Sequence, residues 1–116
     1  MNNEFDTYQQ LAMRTAKPMS EGDNLIHAAL GLTGEAGEFA DCIKKHFVYG
    51  RELDRENAAE ELGDILWFVA LACDTLGVSM SDVAGQNIAK LRKRYPTQYQ
   101  DELAAFRADK QQTIEA

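Results

Sequence analysis

The sequence predicts an all-α fold: an antiparallel helical bundle of four main helices, followed by a short fifth C-terminal helix or a frayed end. Three observations lead there. Apolar residues recur at helical spacing along the chain, and no segment alternates convincingly as a strand. Pro18, Gly50, Gly77 and Pro96 stand where those periodic stretches end. The connectors between the stretches are short, which forces neighbouring helices to run antiparallel.

Each element has its own start and stop signal. Asp6 can cap a first helix that runs to about Lys17, where Pro18 stops it. The turn "SEGDN" offers Asp23 or Asn24 as the cap of a long second helix, which ends near Val48 with Gly50 just beyond. After the connector "RELD", Asp54 caps a third helix ending near Leu76, before Gly77. Ser81 caps a fourth that ends near Tyr95, because Pro96 follows.

At 116 residues the chain has the length of one domain, spanning 1–116, with enough material for a core. Its net charge of −7 argues against a nucleic-acid or anionic-membrane binder, since both need basic surface. The basic run "KLRKRY" is too small to reverse that balance. No stretch approaches the roughly 20 apolar residues of a membrane span. The start, "MNNEFDTYQQ", has neither a basic region nor an apolar run, so no signal peptide and a cytoplasmic location are expected. Cys42 and Cys73 lie in helical patterns without CxxC spacing, which leaves a disulfide between them as the alternative to the favoured reading, buried thiols in a reducing compartment.

The informative feature is a pair of acidic motifs. "GLTGEAGEFADCIKKH" places Glu35 and Glu38 three apart, and "AAEELGDILWFVALAC" does the same with Glu61 and Asp64. At about 100° per residue, Glu61 and Asp64 fall within the apolar stripe of their helix rather than opposite it. Glu35 and Glu38 border the stripe of theirs, beside the small residues Gly31 and Ala28. In an antiparallel hairpin the two pairs come level to within about one turn. Uncompensated carboxylates gathered there would be destabilising or forced neutral. A divalent cation reverses the sign, and an all-oxygen ligand set suits Mg²⁺, with Mn²⁺ as a substitute.

An acidic Mg²⁺ cluster usually shares its ion with substrate phosphate. The fourth helix supplies the complementary groups, because Asn87, Lys90 and Arg94 fall within about 60° of one another. Arg94 suits a phosphate fork and Lys90 a point contact. Lys45, on the Glu38 side of the second helix, is a further candidate for a phosphate contact. Phe68 shares the carboxylate face, while Trp67 turns toward a second core face or a subunit interface.

In that order, "GLTGEAGEFADCIKKH", "ELGDILWF" and "NIAKLRKRYP" resemble the MazG-like branch of the all-α nucleoside triphosphate pyrophosphohydrolases. The resemblance covers about residues 7–96 and leaves 97–116 as a tail. It implies Mg²⁺-dependent cleavage of an NTP or dNTP to the monophosphate and pyrophosphate, in the housecleaning of nucleotide pools. It also implies a homodimer, or a tetramer built from dimers. Carried onto this chain, Glu35, Glu38, Glu61 and Asp64 match the metal ligands, and Asn87 and Lys90 the nucleotide-contacting helix. Glu38 matches the general base proposed in relatives. Two other classes fit less well. A di-iron bundle needs a Glu-x-x-His pair on each of two helices, which these motifs lack. A non-catalytic metal- or nucleotide-binding module would be favoured by loss of an acidic ligand, and all four are present.

Overall fold

The structure is a computed structural model that describes residues 3–111. Helices α1 (Glu4–Met13), α2 (Glu21–Phe47), α3 (Arg55–Leu76), α4 (Met80–Arg94) and α5 (Asp101–Phe106) follow one another, with a final 3₁₀ turn at Ala108–Lys110. The described residues are all-α, with four main helices, and of the two alternatives for the tail the chain takes the short fifth helix. No single helix among them is long and apolar enough to cross a membrane. Residues up to Met80 form one compact unit, and those from Ser81 onward a second.

In the first unit, two helices start a few residues earlier than the sequence suggested. The caps are Asn3 and Ser20, whose side chains accept from the backbone N–H of Asp6 and Asp23. Asp6 and Asp23 therefore lie in the first turn, where a carboxylate complements the helix dipole. Asp54 does cap α3, accepting from Asn57 N–H at 3.0 Å. Helix α1 stops at Met13, ahead of the expected Lys17, because the Thr15 hydroxyl and the Thr15 N–H both take the Ala12 carbonyl. At the far end of α3, Gly77 adopts φ 73°, and Val78 N–H returns to the Cys73 carbonyl at 2.9 Å. That left-handed closure is one a side chain would resist.

Helices α2 and α3 form an antiparallel hairpin, pinned at two levels. Near the hairpin turn, Cys42 Sγ lies 3.5 Å from the Asp54 carbonyl. Farther along, the Phe68 ring occupies the space that a Cβ at Gly31 would need. Helix α1 packs against α3 through Ala12, Ala70 and Cys73, with Met80 completing the cluster and Tyr8, Met13, Trp67 and Val69 around it. Trp67 thus serves a second core face, and its indole N–H donates to Thr15 Oγ1 at 2.9 Å. Cys42 and Cys73 are free and buried.

One buried amide fixes how α1 meets the turn after α3. Gln9 donates through Nε2 to the Val78 carbonyl at 3.1 Å and accepts the Met80 N–H through Oε1 at 2.7 Å. Helix α4 accordingly begins at Met80, one residue before Ser81, with its first N–H satisfied from α1. In the second unit, Tyr95 and Tyr99 rings lie 5.4 Å apart, and Tyr99 donates to Asp101. The tail is also tied to α4 by Arg94, whose Nε donates to Asp109 Oδ1 at 3.1 Å. Gln9→Ala would strand a buried donor at Met80 and is expected to destabilise the chain by about 1–3 kcal/mol, read as a lower urea midpoint.

Candidate metal centre

The pinned hairpin sets the register of the acidic motifs. Gly31 precedes Glu35 by four residues, and Phe68 follows Asp64 by four, about 6 Å of helix in each case. Contact between Gly31 and Phe68 therefore brings Glu35 level with Asp64, and Glu61 joins them from the next turn of α3. The carboxylate oxygens of Glu35, Glu61 and Asp64 all lie within 4.8 Å of one another. Glu35 and Glu61 are half-buried, and Asp64 is exposed. Glu38 lies outside that set and is exposed, yet its charge acts on Glu61.

Electrostatics mark Glu61 as the stressed member. A hydrogen bond with Glu35 raises its pKa most, followed by burial and then the charges of Glu35, Asp64 and Glu38. Like charges this close favour a shared proton or a bound cation. Only hard carboxylate oxygens are present, so the donor set fits a hard divalent ion, and Glu35, Glu61 and Asp64 are the residues that would hold it. The aromatic residues beside the cluster hold one another: His27 meets Phe68 edge-on at 5.3 Å, and Trp67 meets Phe68 at 5.0 Å.

The remaining candidates have partners of their own or belong to the second unit. Lys45 pairs with Asp41 on its own helix at 2.9 Å, and lines a cleft of about 260 Å³ with Cys42, Arg51, Asp54 and Asn57. His46 closes that end structurally, its Nδ1 lying 2.7 Å from the Arg51 carbonyl. Asn87, Lys90 and Arg94 belong to the second unit on α4, with Asn87 and Lys90 exposed and Arg94 half-buried against Asp109. A cleft of about 360 Å³ lined by Gln9, Asp74 and Val78 contains none of the four acids.

Chemistry did not single out Tyr8 in the sequence. Its phenol is pushed above the ordinary range, first by burial and then by the Asp64 charge, so α1 brings a hydroxyl into the field of the cluster. The signal was present but weak: Tyr8, Ala12 and Thr15 follow the i, i+4, i+7 spacing of one helix face.

Comparison with known proteins agrees with this geometry. A model of the MazG nucleotide pyrophosphohydrolase domain matches residues 24–99, which include both acidic motifs and Asn87, Lys90 and Arg94. The chain belongs to the MazG nucleotide pyrophosphohydrolase family. The MazG chain is also similar to the Gene 37 protein of Mycobacterium phage L5, 37% identical over 99 residues that cover 77% of this chain and 86% of the relative. No solved structure matches it significantly. Membership points to nucleotide pyrophosphohydrolysis in general, and the family's usual dependence on divalent metal accords with the acidic cluster.

The raised Glu61 pKa carries a sign. The fold binds that proton more tightly than the unfolded chain, so the contribution to stability is present below the ordinary carboxylate pKa and lost as pH rises through the folded value. Without divalent cations the Glu61 contribution should decline as pH rises from the ordinary carboxylate range through its raised folded value, against the opposite contributions of Asp41 and Asp109, whose pKa values are lowered. Glu61→Gln, neutral beside Glu35, should flatten that decline in thermal unfolding with chelator present. A decline as steep as that of the wild type would mean that the Glu35–Glu61 pair is not its source.

Proposed function

We propose that this MazG chain hydrolyses a nucleoside or deoxynucleoside triphosphate to the monophosphate and pyrophosphate, with water attacking the α-phosphorus, as an enzyme of nucleotide-pool housecleaning in the cytoplasm. The observation that carries the reading is the convergence of Glu35, Glu61 and Asp64 within 4.8 Å in a chain of this family. Glu35, Glu61 and Asp64 would hold Mg²⁺, and Glu38, the fourth acid of the motifs, lies outside that tight set and is left for the attacking water. Bound there, the ion neutralises phosphate charge and lowers the pKa of a water molecule.

The protein's own residues divide the remaining work. Glu38, exposed and outside the tight set, accepts the proton of the attacking water. Lys90 and Asn87 donate to the phosphates, and Arg94 stabilises charge on the departing pyrophosphate. Lys45 contributes only by exchanging Asp41 for phosphate, since Asp41 holds its ammonium at 2.9 Å in the free chain. In a panel of the eight common NTPs and dNTPs with Mg²⁺, at least one should yield pyrophosphate and monophosphate in equal amounts. Glu38→Gln should lower kcat by about 10²–10⁴-fold while leaving Mg²⁺-induced thermal stabilisation largely intact. Release of inorganic phosphate, or no release at all, would sink the reading.

The active form is a homodimer, or a tetramer built from dimers. Supporting this, Ile26 and Leu30 are 59% and 69% exposed and share the face of α2 about 180° from Glu35. Leu11 and Leu62 are also half open to water. Apolar side chains on a repeated helical face suit an isologous contact between copies. Light scattering should give twice or four times the chain mass, and Leu30→Glu should lower it. A monomer at micromolar concentration would overturn this assignment.

A further inference from the structure

The segment after Pro96 folds into α5 and a 3₁₀ turn, and brings one acid and one base to α4. Asp109 Oδ1 accepts from Arg94 Nε at 3.1 Å, and Arg107 reaches the same carboxylate from the other side, with Nη2 3.5 Å from Oδ2 and Nε 3.5 Å from Oδ1. Asp109 retains 2% of its side-chain exposure, whereas Arg94 retains 19% and Arg107 44%. Two guanidinium charges thus share one carboxylate, so the enclosed member is the anion and the accessible members are cations. One arginine would neutralise Asp109; the second leaves a surplus positive charge facing water.

Arg107 is also held where its backbone resists a side chain. Among the described residues it is the one non-glycine with positive φ, 54°, and its N–H closes α5 on the Leu103 carbonyl. Glycine commonly fills this closing position because it has no Cβ. A long cationic side chain there, paired to the buried acid that also holds Arg94, points to a use for the guanidinium itself. Lys90 precedes Arg94 by one turn on α4, adding a third cation to that face. Asp109 remains charged throughout: burial would raise its pKa, but hydrogen bonds from Arg107 and Arg94 outweigh burial and hold it at about 2.

We propose that Arg107 and Arg94, held together by Asp109 as the positioning residue, form a clamp for the outer phosphates of a polyphosphate chain. The clamp takes its ligand class from the pyrophosphohydrolase reading above, but Arg107 and Asp109 lie beyond the residues that match the family. Guanidinium suits this ligand because its planar donors meet phosphate oxygens two at a time.

Calorimetric titration of the full chain with inorganic triphosphate and Mg²⁺ tests the clamp without needing the preferred base. Arg107→Gly relieves the backbone at φ 54° and should not lower the unfolding temperature, yet it should weaken triphosphate binding about tenfold. Arg107→Lys should recover part of that affinity and reduce its salt dependence less. Binding by Arg107→Gly within twofold of the wild type, or no triphosphate binding by the wild type, overturns the clamp whatever the hydrolytic activity. Weakened binding in a chain that hydrolyses no nucleotide would instead remove the pyrophosphohydrolase reading and leave the clamp standing.

Discussion

Mutual repulsion among Glu35, Glu61 and Asp64 is the constraint around which the first unit is arranged. Three carboxylates within 4.8 Å press the two helices apart unless packing holds those helices at fixed register. The holding is done by apolar contacts on either side. Phe68 over Gly31 secures one flank, and Cys42 against the Asp54 carbonyl secures the other. Neither contact uses a carboxylate: one is a ring over a glycine and the other a thiol on a backbone carbonyl. The raised pKa of Glu61 reflects this crowding, first through its hydrogen bond with Glu35, then through burial and the neighbouring charges.

The same division of labour runs through α1. Ala12 and Ala70 permit close approach, and Gln9 then uses both ends of one amide to fasten the turn after α3. With that turn fixed, Tyr8 reaches into the field of Asp64 while Trp67 anchors to Thr15. A short helix of ten residues would be marginal alone. Here it is held by burial and by two specific hydrogen-bonded side chains, Gln9 and Thr15. In the second unit a buried carboxylate organises two arginines, as if one anion were used to assemble cations.

Much of this was legible in the chain itself, and the places where reading failed share a cause. Helical periodicity, Pro18, Gly77 and Pro96 give the elements, and the spacing of the two acidic motifs gives the candidate ligands. The caps of α1 and α2 were assigned to Asp6 and to Asp23 or Asn24, when the true caps are Asn3 and Ser20, a few residues before. Both kinds of residue favour a helix start, and composition alone does not say which one bonds the N–H and which meets the dipole. The cap of α4 was assigned to Ser81, although the helix already begins at Met80, whose donor is satisfied by Gln9, 71 positions away. No local pattern encodes such a partner.

By itself, then, the sequence determined the all-α class, the order and approximate ends of the helices, and the four acids of the motifs. These are set by interactions within about one helical turn, which residue type and spacing express directly. Tertiary structure decided what depends on distance between elements. It separated Glu38 from the tight trio of Glu35, Glu61 and Asp64, brought Tyr8 toward Asp64, and matched Arg94 and Arg107 to one buried Asp109. Such pairings depend on which side chains packing brings together across the fold, and a linear pattern of residue types does not carry that information.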